Sequence, residues 1–238
     1  MKIILFGYGK MGREIEQIAI ERGHEVILKI NSSDQKNTSE KLFFQADVAI
    51  EFSTPNSAVG NILKCFNANI PVVVGTTGWL DEMENIKNSC QEKKQGFFYA
   101  SNFSIGVNLF FQLNDYLAKL MNPYKEYEIA VEEIHHIHKK DAPSGTAITL
   151  AEKIIQQNSS KKNWKNGVNT LSEELSIVSK RIDEVPGTHR ITYTSAVDDI
   201  EIKHTAHNRK GFALGAVVAA EWMIGKKGIF GMNDLLKK

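Results

Sequence analysis

The amino-acid sequence predicts an α/β protein in two parts: a doubly wound parallel sheet over residues 1–103, and an α+β domain with an open mixed sheet over residues 104–208. Three observations carry this. Short apolar strands alternate with amphipathic helices as far as residue 103. A glycine-rich turn joins the first strand to the first helix. Beyond residue 103 the rhythm changes to a long helix, a strand, a second helix and then a run of β segments. The C-terminal segment 209–238 is expected to complete the first domain.

Met1 to Phe6 (MKIILF) reads as a buried strand and runs into Gly7-Tyr8-Gly9-Lys10-Met11-Gly12. A helix follows with Ile15, Ile18 and Ala19 on its inner face. The pattern G-x-G-x-x-G between strand and helix is the Rossmann-type dinucleotide turn. Gly7 allows the tight bend, Gly9 the close approach of a pyrophosphate, and Gly12 the packing of helix on strand. The second strand, Glu25 to Ile30, should end beside the adenosine ribose. It carries Lys29 and then Asn31-Ser32-Ser33, with no carboxylate before Asp34. Lys29 suits a 2′-phosphate, so NADPH is the preferred cofactor here, with NADH also usable.

Val48 to Phe52 is a third strand, ending in Ser53-Thr54-Pro55, and Asn56 opens a helix bearing Val59, Ile62 and Leu63. Pro71 to Val74 is a fourth strand. Gly75-Thr76-Thr77-Gly78 follows it and offers N–H groups and hydroxyls at the carboxyl edge, where such sheets bind ligands. Asp81 to Lys93 reads as a helix and Gly96 to Ala100 as a strand, closed by Ser101-Asn102-Phe103-Ser104.

In the second part, Val107 to Met121 is a helix and Ile129-Ala130-Val131 the end of a buried strand. That strand leads into EEIHHIHKKDAPSGTA, Glu132 to Ala147, which holds His135, His136, His138, Lys139, Lys140 and Asp141 together. So polar a run cannot be buried unpaired and must face a cleft or solvent. Ser144 is a natural N-cap for a helix with Ala147, Ile148, Ala151, Ile154 and Ile155 at helical spacing. The N–H groups of Gly145 and Thr146 at that helix start favour an anion. Acid/base groups, an ammonium and an anion hole thus lie within a few turns of chain. Clustered histidines also bind zinc, but on a strand His135 and His136 point to opposite faces and no cysteine completes a site, so no metal is expected. Gln156 to Asn169 reads as an exposed polar loop. Ile177–Ile182, Arg190–Val197 and Ile200–His207 read as strands, and Phe212–Ile224 as an apolar helix packing on the first domain.

The balance of 29 basic and 28 acidic residues gives a net charge of +1, which points away from nucleic acid and membrane surfaces as partners. Cys65 and Cys90 read as reduced buried thiols, there is no leader or membrane-spanning run, and the cytoplasm is the expected compartment. An open sheet with a free face suggests an oligomer.

With these pieces placed, the chain closely resembles the 4-hydroxy-tetrahydrodipicolinate reductase (dihydrodipicolinate reductase) family of lysine and diaminopimelate biosynthesis. The resemblance rests on GYGKMG, EFSTP (Glu51–Pro55), VGTTGW (Val74–Trp79), ASNFSIGVN (Ala100–Asn108), the Glu132–Ala147 block, PGTH (Pro186–His189) and HTAHNRKGFALGA (His204–Ala216). It implies hydride transfer from NAD(P)H to a cyclic imine bearing two carboxylates. It implies His135 as acid/base, Lys139 as proton donor, and a substrate site at His136, Ser144, Gly145 and Thr146 with Thr77. Cofactor contacts are implied at Gly7, Tyr8, Gly9, Lys10, Met11, Gly12, Lys29, Phe52, Gly75, Thr76, Thr77, Ala100, Ser101, Asn102, Phe103, Arg209 and Phe212. A homotetramer built through the second-domain sheets and closure of one domain on the other are implied as well. The chain departs from the family in having Ile137 where Arg is common, in a glycine loop shorter by one residue, and in lacking the acidic ribose ligand. Rival readings from the residues are another imine or amino-acid dehydrogenase, and a nucleotide-sensing regulator without catalysis.

Overall fold

The computed structural model describes residues 1–31, 40–168, 171–208 and 210–237. The described chain divides into two compact units, one made of residues 1–105 with 210–238 and the other of residues 106–209.

In the first unit, β1 (Lys2–Phe6), β2 (Glu25–Ile30), β3 (Val48–Glu51), β4 (Val72–Val74), β5 (Gly96–Tyr99) and β11 (Gly228–Phe230) form one parallel sheet in the order β11-β5-β4-β3-β1-β2. Alternation along β1 sends Ile3 and Leu5 to one face and Ile4 and Phe6 to the other, and all four are buried. The first face packs against α1 (Lys10–Glu21) and α7 (Lys210–Met223), through Ile15, Ile18, Ala213, Ala216, Val217 and Ala220. The second packs against α3 (Pro55–Asn67) and α4 (Met83–Glu92), through Ala58, Ile62, Phe66 and Ile86. A sheet buried on both faces needs apolar residues throughout, which is why these strands read as continuous apolar runs. Arg22 of α1 forks onto Glu221 of α7 with two bonds of 2.8 Å, tying the early helix to the late one.

In the second unit, β6 (Glu128–His135), β7 (Asn163–Asn166), β8 (Glu174–Arg181), β9 (Gly187–Thr194) and β10 (Asp199–Ala206) form a mixed sheet in the order β10-β9-β6-β8-β7. β6 is antiparallel to β9 and parallel to β8. One face is covered by α5 (Ile105–Met121) and α6 (Gly145–Gln157), which bury Phe110, Met121, Leu150 and Ile154 against Val131, Ile177, Ile191 and Tyr193.

Several boundaries differ from the sequence reading. The 156–169 segment is not all loop, because α6 runs to Gln157 and Asn163–Asn166 pairs with β8 as an edge strand. The helix expected from Asp81 starts as a 3₁₀ turn, Leu80–Glu82, and the strand expected to reach Phe52 stops at Glu51. The fourth β segment of the second sheet begins earlier than Arg190, at Gly187. A short helix α2 (Glu40–Phe43), the strand β11 and the closing helix α8 (Met232–Leu236) add to the elements read from sequence. Among the described residues no helix is long and apolar enough to cross a membrane.

Candidate active site

In the first unit, candidate residues gather at the carboxyl edge of the parallel sheet. Gly7 holds φ +86°, and a Cβ there would lie 2.1 Å from the carbonyl oxygen of Phe52, so only glycine makes this bend. Gly9, the N-cap of α1, has no neighbour within 4 Å of where a Cβ would stand and takes no side-chain cap, which leaves the helix start open. Gly7, Tyr8, Gly9, Ile30, Asn31, Phe52, Ser53 and Thr54 are among the residues that line a cavity of about 230 Å³. Lys10 and Met11 lie in the first turn of α1, and Gly12 lies against Gly7 O. The Tyr8 N–H donates to Asn31 Oδ1 at 2.8 Å, fixing the turn to the end of β2.

Behind the turn, the Phe52 ring packs on Gly75 and, at 5.4 Å between centroids, on Phe103. Ala100 and Phe103 are core residues, whereas Ser101 and Thr77 are exposed and Asn102 caps the Ser104 N–H at 2.9 Å. Thr76 is buried: its carbonyl accepts from the Trp79 indole at 2.7 Å, while its hydroxyl has no partner among the described residues. Phe212 is half-buried in the first turn of α7. Arg209 lies outside the described residues. The open glycine turn, the unpartnered Thr76 hydroxyl and the surrounding N–H and hydroxyl groups fit the phosphates and riboses of a pyridine nucleotide.

Lys29 is engaged within the first unit. Its ammonium is 2.9 Å from Glu16 Oε1 and 4.8 Å over the Tyr8 ring, and the Tyr8 hydroxyl donates to the other oxygen of Glu16. The bonds from Lys29 and then Tyr8 hold the Glu16 carboxyl below its ordinary value. The Lys29 charge is thus matched by a carboxylate from α1.

In the second unit, candidate residues gather at the end of β6. Alternation puts Glu133 and His135 on the core face beside Ile129 and Val131, and both are buried. His135 Nδ1 is hydrogen-bonded to Glu133 Oε2, and Arg181 Nη2 donates to Glu133 Oε1 at 2.9 Å. Burial pushes the Glu133 carboxyl up, but hydrogen bonds from His135 and Arg181 outweigh it and bring the group down to about 2. His189 packs edge-on to His135 at 5.1 Å and meets the Ser144 hydroxyl at 3.3 Å. Burial, with the His135 charge adding to it, lowers His189 to about 3, so this ring is neutral. Glu133, His135 and His189 place potential ligand atoms within 4.8 Å of one another. The guanidinium of Arg181 already sits on Glu133, which supplies a fixed cation in the place where a metal charge would be needed.

Past His135 the chain turns outward. Lys139 Nζ is held by both oxygens of Asp141 at 2.8 Å, and this pairing keeps the Asp141 carboxyl below its ordinary value. His136 is half-buried, with its ring tilted against that of exposed His138 at 6.1 Å between centroids, and Ile137 between them is exposed. Ser144 Oγ accepts the Ala147 N–H at 3.2 Å as the N-cap of α6, leaving Gly145 exposed and Thr146 half-buried at the helix start. The second unit thus gathers His135, His136, Lys139, Ser144, Gly145 and Thr146 around one strand end and one helix start.

Sequence reasoning passed over Glu133, Arg181, His189 and Glu16. The i, i+2 spacing of Glu133 and His135 on a strand is a signal that could have found the first. The others arise from register, since β8 places Arg181 opposite His135 and β9 places His189 opposite Glu133.

Comparison with known proteins assigns the chain. Residues 1–103 match the family model described as dihydrodipicolinate reductase, N-terminus, and residues 106–236 match dihydrodipicolinate reductase, C-terminus. A 4-hydroxy-tetrahydrodipicolinate reductase of Christiangramia forsetii is 50% identical over 99% of this chain and 98% of its own length. One of Archaeoglobus fulgidus is 31% identical over 96% of each chain. Among solved structures, a dipicolinate-bound dihydrodipicolinate reductase from Paenisporosarcina sp. TG-14 has the same fold, with a TM-score of 0.78, 24% identity and 99% coverage of both chains. An N-terminal nucleotide turn and a C-terminal histidine–lysine block, matched end to end at this level, mean that the chain belongs to the 4-hydroxy-tetrahydrodipicolinate (dihydrodipicolinate) reductase family.

Proposed function

We propose that this protein reduces the cyclic imine 4-hydroxy-tetrahydrodipicolinate to tetrahydrodipicolinate in lysine and diaminopimelate biosynthesis. The observation that carries the reading is the convergence of Lys139, the Glu133–His135 pair and the open start of α6 at one end of the second sheet. The reductant is a pyridine nucleotide, which supplies the hydride when bound. We assign its binding to the Gly7–Gly12 turn, Gly75–Thr77, Ala100–Phe103, Arg209 and Phe212. Both NADPH and NADH serve, because Lys29 attracts a 2′-phosphate only to the extent that Glu16 releases it.

Gly145 and Thr146 present free N–H groups at the start of α6, and these hold one substrate carboxylate. His136 and Thr77 add polar contacts to substrate. Reduction leaves enamine or carbanion character on the ring, which Lys139 quenches by giving up an ammonium proton, while its remaining charge stabilises the transition state. Asp141 holds the Lys139 side chain in place until substrate arrives. His135, backed by Glu133, poises or relays protons beside it. Ile137 leaves the substrate one cation fewer than the Arg-bearing members of the family. We further propose a cytoplasmic homotetramer joined through the open face of the second sheet, where Ala130, Ile134 and Val178 lie on the face away from α5 and α6.

The test is spectrophotometric. The imine is generated in situ from pyruvate and aspartate semialdehyde with the preceding synthase, and NADPH or NADH absorbance is followed. Oxidation that depends on both enzymes is the expected result. Folded protein that binds nucleotide but oxidises neither cofactor would redirect the assignment to another imine substrate or to a sensor.

A further inference from the structure

Arg181 is the last residue of β8, in register with His135 at the end of β6. From there its guanidinium reaches two separate parts of the second unit's site. Nη2 donates to Glu133 Oε1 at 2.9 Å and to the Asp141 carbonyl at 2.6 Å, and Nε donates to the Lys139 carbonyl at 3.3 Å. The fork therefore connects the buried carboxylate behind His135 to both ends of the Lys139–Asp141 turn. The same turn is tied at its start, where the Ile137 N–H donates to the Asp183 carbonyl at 3.0 Å. Glu133 is wholly buried, and its second oxygen takes His135 Nδ1. A carboxylate accepts but does not donate, so Nδ1 carries the proton and Nε2 is left to exchange one. A Cβ at Gly187 would stand 3.0 Å from Nε2, and the glycine keeps that side of the ring uncrowded.

We propose that Arg181 and Glu133 are positioning residues for proton transfer: Arg181 fixes the Lys139 turn relative to His135, and Glu133 fixes the His135 ring with its proton on Nδ1. Stability alone does not account for the pair. An apolar residue beside Ile129 and Val131 would fill the core without the desolvation that a buried ion pair costs. Lysine at 181 would keep the charge and lose the planar fork that serves three acceptors at once. The inference rests on Lys139 and His135 being the proton-handling groups.

The experiment uses the full-length enzyme with saturating nucleotide and the in situ imine. Arg181→Ala is expected to lower kcat by about a hundredfold, as a displaced catalytic group does, with nucleotide Kd unchanged. Guanidinium ion added in solution should restore part of that loss, and methylammonium should not. Arg181→Lys should stay well below wild type. In Glu133→Gln, ¹⁵N NMR of the His135 ring should show the Nδ1–H preference lost, with kcat falling more than KM rises. Arg181→Lys at wild-type kcat, or an unchanged His135 tautomer in Glu133→Gln, would overturn the proposal. If Arg181→Ala does not fold, those two variants decide it by the same criteria. Lys139→Ala is measured in parallel. Full turnover there would undo the assigned proton donor, whereas loss there with intact Arg181→Lys would undo only the positioning role.

Discussion

At the scale of single residues, the charges of this site are balanced in pairs. Lys139 is paired with Asp141, so its removal deletes the proposed proton and leaves an exposed carboxylate without its partner. Lys139→Ala is expected to cut kcat by at least about a hundredfold while KM changes far less, read from initial rates; a rise in KM alone would mean the lysine only binds. Lys29 is matched by Glu16, and freeing it should favour the nucleotide with the extra phosphate. Glu16→Gln is expected to raise the NADPH over NADH ratio of kcat/KM by about fivefold, the size of one exposed ion pair; an unchanged ratio would place the ribose elsewhere. His189 is held neutral, down to about 3 from an ordinary 6.5, so the unfolded chain takes up a proton there that the folded one refuses. Stability is then full above the unfolded value and is lost as pH falls from 6.5 towards 3, by about 1.4 kcal/mol per pH unit for one proton. Glu133, lowered to about 2, adds to the loss in the same direction as pH falls below its ordinary 4.5. Denaturant titrations of His189→Gln between pH 7 and 5 should show a shallower slope than wild type.

At the scale of elements, what could be read in advance depended on how much apolar surface an element buries. β1, β3 and β4 are covered on both faces and advertise themselves as apolar runs, and α6 is announced by Ser144 and its spaced alanines and isoleucines. β7 gave no such sign. It reads Asn-Trp-Lys-Asn, pairs only with β8 at the sheet edge, and is largely exposed, so alternation has nothing to encode. β11 is three residues long and borrows its stability from β5. Among the candidate site residues, those adjacent in sequence could be named in advance, whereas Arg181 and His189 depend on which strands become neighbours, a choice made by the whole sheet. The cap of α6 is testable on its own. Ser144→Ala removes the acceptor for the Ala147 N–H and should cost about 1 kcal/mol of stability, seen as a lower Tm. Because the same turn presents Gly145 and Thr146, substrate KM should rise more than kcat falls.

At the scale of the whole molecule, the two units differ in how the chain builds them. The second is one continuous stretch. The first is split, because Ala213, Ala216, Val217, Ala220 and Met223 of α7 belong to the same core as Ile3, Leu5 and Ile15. A fragment of residues 106–208 is expected to melt cooperatively by circular dichroism. A fragment of residues 1–105 is expected to bind 8-anilinonaphthalene sulfonate and to lack a transition until a 210–238 peptide is supplied. A sharp transition for residues 1–105 alone would show that α7 is dispensable to that core.

The split has a consequence in time. On the ribosome the first sheet waits for residues that are translated only after the whole of the second unit. At about 5–20 residues per second, the interval from residue 105 to the end of α7 is on the order of 6–25 s, during which one face of a parallel sheet lacks its cover. Nascent chains stalled before residue 210 should therefore recruit chaperones and aggregate. Synonymous codons that slow translation of the second unit should lower soluble yield even though they change no amino acid.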